Sequence, residues 1–348
     1  MTMANVSEPI LEVKGLKTYF YLREGIVQAV DGVDFSLAQG KTLGIIGESG
    51  SGKSVTAQSI MRIVPSPPGK IVGGEILLHY GNGMVVDLTK LEPQGEAIRG
   101  VRGKEIAMIF QEPMTSLGPL NSIGSQIMEA ILVHQKSVGK KHARQMTVEL
   151  LARVGIPRPH DLVDAYPHEL SGGMRQRAMI AMALSCHPRI LLADEPTTAI
   201  DVTTQAQILE LLKQLQQETR MSMIYITHNL AVVSEIADEI AVMYLGHIME
   251  YASVDKIINE PLHPYTRALW RSIPKIEGEL SRLVSIPGSV PSPYEIPKGC
   301  AYCTRCEEAI PGVCEASPPA MVDMGGGHMV SCFLNRATRG KTSVKGVS

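Results

Sequence analysis

One octapeptide constrains this chain more than any other stretch: Gly47-Glu48-Ser49-Gly50-Ser51-Gly52-Lys53-Ser54, of the form G-x-x-x-x-G-K-S. It stands between an apolar run, Leu43 to Ile46, and a helix-compatible segment, Ser54 to Val64. Strand, glycine loop and helix in that order make a cradle for phosphate. Gly47, Gly50 and Gly52, with the small hydroxyl residues Ser49, Ser51 and Ser54, let the backbone curl so that successive N–H groups face phosphate oxygens. The free N–H groups and positive dipole end of the following helix converge on the same spot. Lys53 can then reach the β- and γ-phosphates, and the Ser54 hydroxyl can hold Mg2+.

Composition narrows the partners. At 348 residues with 44% apolar content, the chain can bury a full core and can hold one large domain plus a smaller one. Net charge is −2 with Lys and Arg dispersed, which argues against a general nucleic-acid surface. No apolar run approaches bilayer length, and Met1 to Pro9 lacks a signal pattern, so a cytosolic protein reaching membranes only through partners is expected. Five of the six cysteines lie between Cys300 and Cys332. Clustered thiols in a cytosolic chain suggest metal binding before disulfides.

Along the chain, Ile10 to Gln39 alternates as antiparallel strands, with Tyr19 and Phe20 beside an exposed-looking Lys17-Thr18. Either ring could stack on an adenine, or serve as strand core. Gly74 to Leu88 holds two further strand-like runs around the hairpin signal Gly81-Asn82-Gly83. Ile106 to Phe110 is a short buried-type strand ending at Gln111, and Glu112 to Glu169 has the helical period of an inserted subdomain. Ser171 is placed to cap a helix running through Leu184, with Gly172 and Gly173 leaving its first N–H groups bare for an anion. The run Ile190 to Ala193 reads as a parallel strand buried on both faces. It delivers Asp194, suited to the Mg2+ shell, and Glu195, suited to take a proton from water or orient it. Asp201 closes a turn into a helix with Ile208, Leu211, Leu212 and Leu215 on one face. A further buried strand, Met223 to Thr227, ends at His228, a candidate γ-phosphate contact. In the C-terminal cluster, Cys300, Cys303 and Cys306 are followed by Cys314 and Cys332. A four-thiolate site suits zinc or an iron–sulfur cluster, and spacing leaves both open.

Taken together these residues resemble the ATP-binding cassette (ABC) transporter ATPases. Gly47 to Ser54 matches Walker A, Gln111 the Q-loop, Leu170 to Gln176 the LSGG-x-x-Q signature and Ile190 to Glu195 Walker B. Ala199-Ile200-Asp201 corresponds to the D-loop, with isoleucine where leucine is usual, and His228 to the switch histidine. His263-Pro264-Tyr265-Thr266, Pro287-Gly288, Pro291 and Gly299-Cys300 look like the C-terminal extension of oligopeptide, dipeptide and nickel permease ATPases. Met114-Thr115-Ser116-Leu117 fits the same subfamily, although Gly118 replaces a common asparagine.

The resemblance implies an α/β fold: a P-loop NTPase (RecA-like) core with an antiparallel β edge and an inserted helical subdomain at about 112–169. An ATPase domain over 1–250 would be followed by a small Cys-rich domain over 251–340. It implies ATP and Mg2+ as ligands, with Gln111 and Asp194 joining Ser54 around the metal, and favours Phe20 over Tyr19 as the adenine-stacking ring. Glu195, His228 and Gln111 would serve hydrolysis, and Ser171, Gly172, Gly173 and Asp201 would act across a dimer. Some subfamily members carry a [4Fe-4S] cluster here, and their pattern falls on Cys300, Cys306, Cys314 and Cys332, with zinc as the alternative and Cys303 a spare thiol or alternative ligand. The implied partners are a second, paralogous ATPase, two transmembrane permease subunits and an extracytoplasmic substrate-binding protein. These would place the chain on the cytoplasmic face of the inner membrane, importing peptides ahead of nickel or oligosaccharides. The rival is a soluble cassette ATPase acting on nucleic acid or ribosomes, which usually carries two cassettes, a coiled coil or a basic arm.

Overall fold

Residues 8–112, 116–198, 200–272 and 286–335 are described by the computed structural model. Met114-Thr115 and Ala199, named above, lie outside them. The expected N-terminal strands are β1 (Pro9–Tyr21) and β2 (Ile26–Ala38), joined by a turn in which Leu22 and Gly25 exchange backbone bonds. Thr18 is fully buried rather than exposed, because its hydroxyl pairs with that of Ser59 at 2.8 Å. Next, β3 (Thr42–Ile46), buried at every position, runs through the glycine loop into helix Lys53–Ile60. That helix stops short of Val64 because Arg62 turns left-handed (φ 55°) and Pro65, Pro67 and Pro68 follow.

Then come β4 (Gly69–His79) and β5 (Val85–Asp87). The predicted turn before β5 is closed by Tyr80 N–H donating to the Met84 carbonyl at 2.9 Å and Met84 N–H to Asn82 Oδ1 at 3.1 Å. The strand expected to reach Phe110 is β6 (Ile106–Ile109); Phe110 lies beyond the sheet and is exposed.

Two compact units organise these elements. One is built mainly from Leu78–Ile226. In it β6, β7 (Ile190–Asp194) and β8 (Ser222–Thr227) lie parallel, with Ile106 opposite Ile190 and Asp194 opposite Ile226. Every residue of β7 and β8 is buried, as a continuous apolar run requires. Helices Ile123–His134, Lys140–Arg153 and Pro159–Leu162 fill the stretch after β6, and Ile127, Ile131, Leu150 and Val154 face inward. Helix Val202–Thr219 buries Ile208, Leu211, Leu212 and Leu215.

The other unit comprises Glu12–Ser36, Leu43–Leu77 and the chain from Thr227 onward. Here β1 lies between β2 and β4. A second sheet runs in the order β3, β9 (Glu239–Tyr244), β10 (His247–Ser253), β12 (Met329–Val330), β11 (Val322–Asp323). β3 and β9 are parallel and the later pairs antiparallel, so the sheet is mixed. Glu250 of β10 is wholly buried and gathers the following chain: Oε1 accepts from Leu262 N–H at 2.8 Å and His328 Nε2–H at 2.7 Å, and Oε2 from His263 N–H at 2.9 Å. His263 caps helix Pro264–Arg271 through Nδ1, which accepts from Tyr265 N–H at 3.0 Å. Burial drives the His263 pKa down to about 3, keeping the imidazole neutral as that acceptor role needs. Among the described residues no helix is long and apolar enough to cross a membrane.

Candidate functional site

In the unit holding Walker A, the glycines are required by space as well as torsion. Gly52 has φ 100°, and a Cβ there would collide with the Ala29 carbonyl; one at Gly47 would collide with the Met243 carbonyl. The loop therefore presents bare backbone, the condition for amides to approach phosphate. Lys53 is buried and curls over the loop, its Nζ donating to the carbonyls of Gly47 (2.9 Å) and Glu48 (3.0 Å). Ser51 Oγ is buried with no hydrogen-bond partner among the described residues, a polar atom that a bound ligand could satisfy. Ser54, half-buried, follows Lys53 in the first helical turn. These features fit a nucleotide phosphate chain with its Mg2+. In β1, Tyr19 is committed through its hydroxyl to Asp31 Oδ1 at 2.8 Å, while the half-buried Phe20 ring lies over Gly69 with no polar tie. His228 is exposed, just before helix Leu230–Ile236, which Asn229 caps by accepting from Ala231 N–H at 3.0 Å.

In the other unit, the parallel register of β6 and β7 brings Gln111 and Glu195 to neighbouring strand ends. Gln111 Nε2 donates to Glu195 Oε2 at 3.1 Å, and Thr198 Oγ1 to the same oxygen at 2.8 Å. Glu195 takes a left-handed backbone (φ 45°), its N–H bound to the Ile226 carbonyl at 2.9 Å. Such a conformation in a non-glycine residue marks a carboxylate whose direction the surroundings impose. Asp194, the last residue of β7, is buried. Ser171 caps helix Gly172–Leu184, accepting from Met174 N–H at 3.3 Å. A Cβ on Gly173 would touch Thr204, whose hydroxyl donates to Asp201 Oδ2 at 2.7 Å while its N–H donates to Asp201 Oδ1 at 2.9 Å. The signature helix and the Asp201 cap are thus neighbours, a contact that no sequence spacing discloses.

The five C-terminal cysteines are gathered too. Cys300, Cys303, Cys306, Cys314 and Cys332 line one small cavity with His263 and Tyr302, all as free thiols. Burial pushes the Cys300 thiol up to about 12 and Cys306 to about 11, so in the absence of a metal both stay protonated. Among the described residues no group of three or more His, Cys, Asp or Glu side chains is placed to hold a metal ion. Sequence reasoning missed the two residues that tie this region to Walker A: Tyr265, whose hydroxyl accepts from Glu48 N–H at 3.0 Å, and Arg305, paired with the Glu48 carboxylate.

Comparison with known proteins accords with this geometry. Residues 30–198 match the family model described as ABC transporter, and residues 249–314 that of the oligopeptide/dipeptide transporter C-terminal region. The oligopeptide transport ATP-binding protein AppD of Bacillus subtilis is 51% identical over 93% of this chain and 96% of its own length. The chain belongs to the ABC transporter ATPases. OppD of the same organism, also an oligopeptide transport ATP-binding protein, is 50% identical over 93% of this chain and 88% of its own. The dimeric ATP-binding cassette MJ0796, solved in a post-hydrolysis state with ADP and Pi, is similar at TM-score 0.61 and 25% identity, covering 70% of this chain and 98% of that one. The chain has the cassette fold, an α/β architecture with mixed sheets, and is an ATPase.

Proposed function

We propose that this chain is the ATP-hydrolysing subunit of an importer that takes up peptides. The observation that carries the reading is the 51% identity along nearly the whole chain to an oligopeptide transport ATP-binding protein, reinforced by the match of its C-terminal region. In this reading Gly47, Ser49, Gly50, Gly52 and Lys53 grip the triphosphate, Phe20 stacks on the adenine, and Ser54, Gln111 and Asp194 hold Mg2+. The metal, when bound, neutralises charge on the β- and γ-phosphates. Water attacks the γ-phosphorus, the bond to the β–γ bridging oxygen breaks, and ADP leaves. Glu195 orients that water and takes its proton, its direction supported by the Gln111 and Thr198 hydrogen bonds. His228 contacts the γ-phosphate.

Ser171, Gly172, Gly173 and Asp201 serve the ATP of a second, paralogous ATPase; Val202, 83% exposed beside Asp201, supports an interface there. Two permease subunits dock on the segment 112–169, where Leu120 is 87% exposed, and an extracytoplasmic protein supplies substrate. The chain is thereby held on the cytoplasmic face of the membrane. It divides into an ATPase domain over 1–250 and a Cys-rich domain over 251–340. In the latter, Cys300, Cys306, Cys314 and Cys332 are the residues that would hold a [4Fe-4S] cluster. That these thiols line one small cavity supports a shared site, with zinc as the alternative occupant.

The test is reconstitution of this chain with its second ATPase and permeases in proteoliposomes. ATP-driven uptake of peptide, abolished by Lys53→Ala, is expected; uptake of nickel or oligosaccharide but not peptide would overturn the assignment.

A further inference from the structure

The Glu48 side chain adds nothing to a phosphate cradle; an unpaired carboxylate there would repel the anion it adjoins. The structure turns it away. Arg305 Nη1 donates to Glu48 Oε2 at 2.6 Å and Nη2 to Oε1 at 3.1 Å, a two-pronged pair in which the arginine side chain is 4% exposed. Arg305 is fixed in turn: Nε donates to the Pro287 carbonyl at 2.9 Å, and the guanidinium lies 5.8 Å from the ring centre of Tyr244 and 6.0 Å from that of Tyr302. The backbone of Glu48 is held from the same side by the Tyr265 hydroxyl at 3.0 Å, and its carbonyl accepts from Lys53 Nζ at 3.0 Å. One continuous set of contacts therefore runs from the cysteine-rich region to the lysine of Walker A.

We propose that Arg305 is a positioning residue for ATP. It neutralises and anchors Glu48, so that the loop amides and Lys53 are presented to phosphate. Because Arg305 belongs to the short turn Cys303–Arg305, between two of the clustered cysteines, nucleotide affinity depends on the fold of that region. The inference rests on residues 47–54 being the ATP-binding loop.

The experiment is titration of the purified full-length chain with a fluorescent trinitrophenyl-ATP and Mg2+, alongside steady-state ATPase kinetics of the assembled transporter. Arg305→Gln should weaken analogue binding by about tenfold, raising KM for ATP while kcat stays within about twofold. Arg305→Lys keeps the charge and loses the fork, and should weaken binding by about threefold. Adding Glu48→Gln to Arg305→Gln should restore much of the affinity, because the stranded carboxylate is then gone. A merely structural arginine would show no such rescue. If Arg305→Gln fails to fold, Arg305→Lys carries the test. Wild-type affinity in Arg305→Lys, or a double variant no tighter than Arg305→Gln, overturns the proposal. If the wild-type chain binds no analogue, the ATP reading itself fails; if it binds and both arginine variants match it, only the Arg305 inference falls.

Discussion

Glu195 carries the sharpest residue-scale consequence. Its backbone is left-handed and its carboxylate accepts from Gln111 and Thr198, so replacing it with the isosteric glutamine alters the charge and one donor set while the strand end stays in place. Glu195→Gln should lower ATP turnover by at least about a hundredfold, the scale of general-base loss. The same variant should retain ATP in a long-lived dimer with the partner subunit. Single-turnover hydrolysis with both subunits' equivalent glutamates replaced, and gel filtration of the ATP-bound protein, check it; unchanged turnover would remove Glu195 from the base role. Many of the candidate site residues were legible in the sequence because they belong to a local signal: a glycine loop, a capped helix start, a carboxylate after a buried run. Glu48–Arg305 and Glu250–His328 were not, being pairs 257 and 78 residues apart that leave no periodic trace.

At the scale of elements, apolar period and breakers marked most strands and helices up to His228, including the helix capped by Ser171 through Leu184 and the stripe from Ile208 to Leu215, whereas β9 to β12 and the helices after His228 were not foreseen. The errors fell where a tertiary contact or a turn prevailed: Thr18 buried by Ser59, Phe110 left outside β6, and the helix after Walker A halted at Ile60. The buried Glu250 is the joint on which the elements after β10 depend. Glu250→Ala would strand three donors in a dry interior and should cost about 3 kcal/mol or more, read as a fall in Tm. The Arg144–Asp164 pair, with short hydrogen bonds of 2.7 and 2.6 Å but exposed, is the contrast: Arg144→Ala should leave Tm unchanged.

For the molecule as a whole, the cysteine cavity is where the stability of the C-terminal region can be tested. Buried protonated thiols contribute little beyond ordinary packing, whereas thiolates on a cluster would staple together four points of the stretch from Cys300 to Cys332. Anaerobic purification with iron and sulfide analysis should give a coloured protein with about four irons per chain on the cluster reading. A colourless protein with one zinc per chain would refute it. Chelation or oxygen exposure should then lower Tm as well as colour.

The two short strands β11 and β12 carry a further implication. β12 pairs with β10 through Glu250–Val330 and Tyr251–Met329, so the chain's own tail occupies hydrogen-bonding positions that a foreign strand could otherwise claim. A protein cut after Ala320 would offer β10 as an open template. Light scattering that rises with concentration for the cut form, but not for the full chain, would reveal these few residues as a guard against clumping.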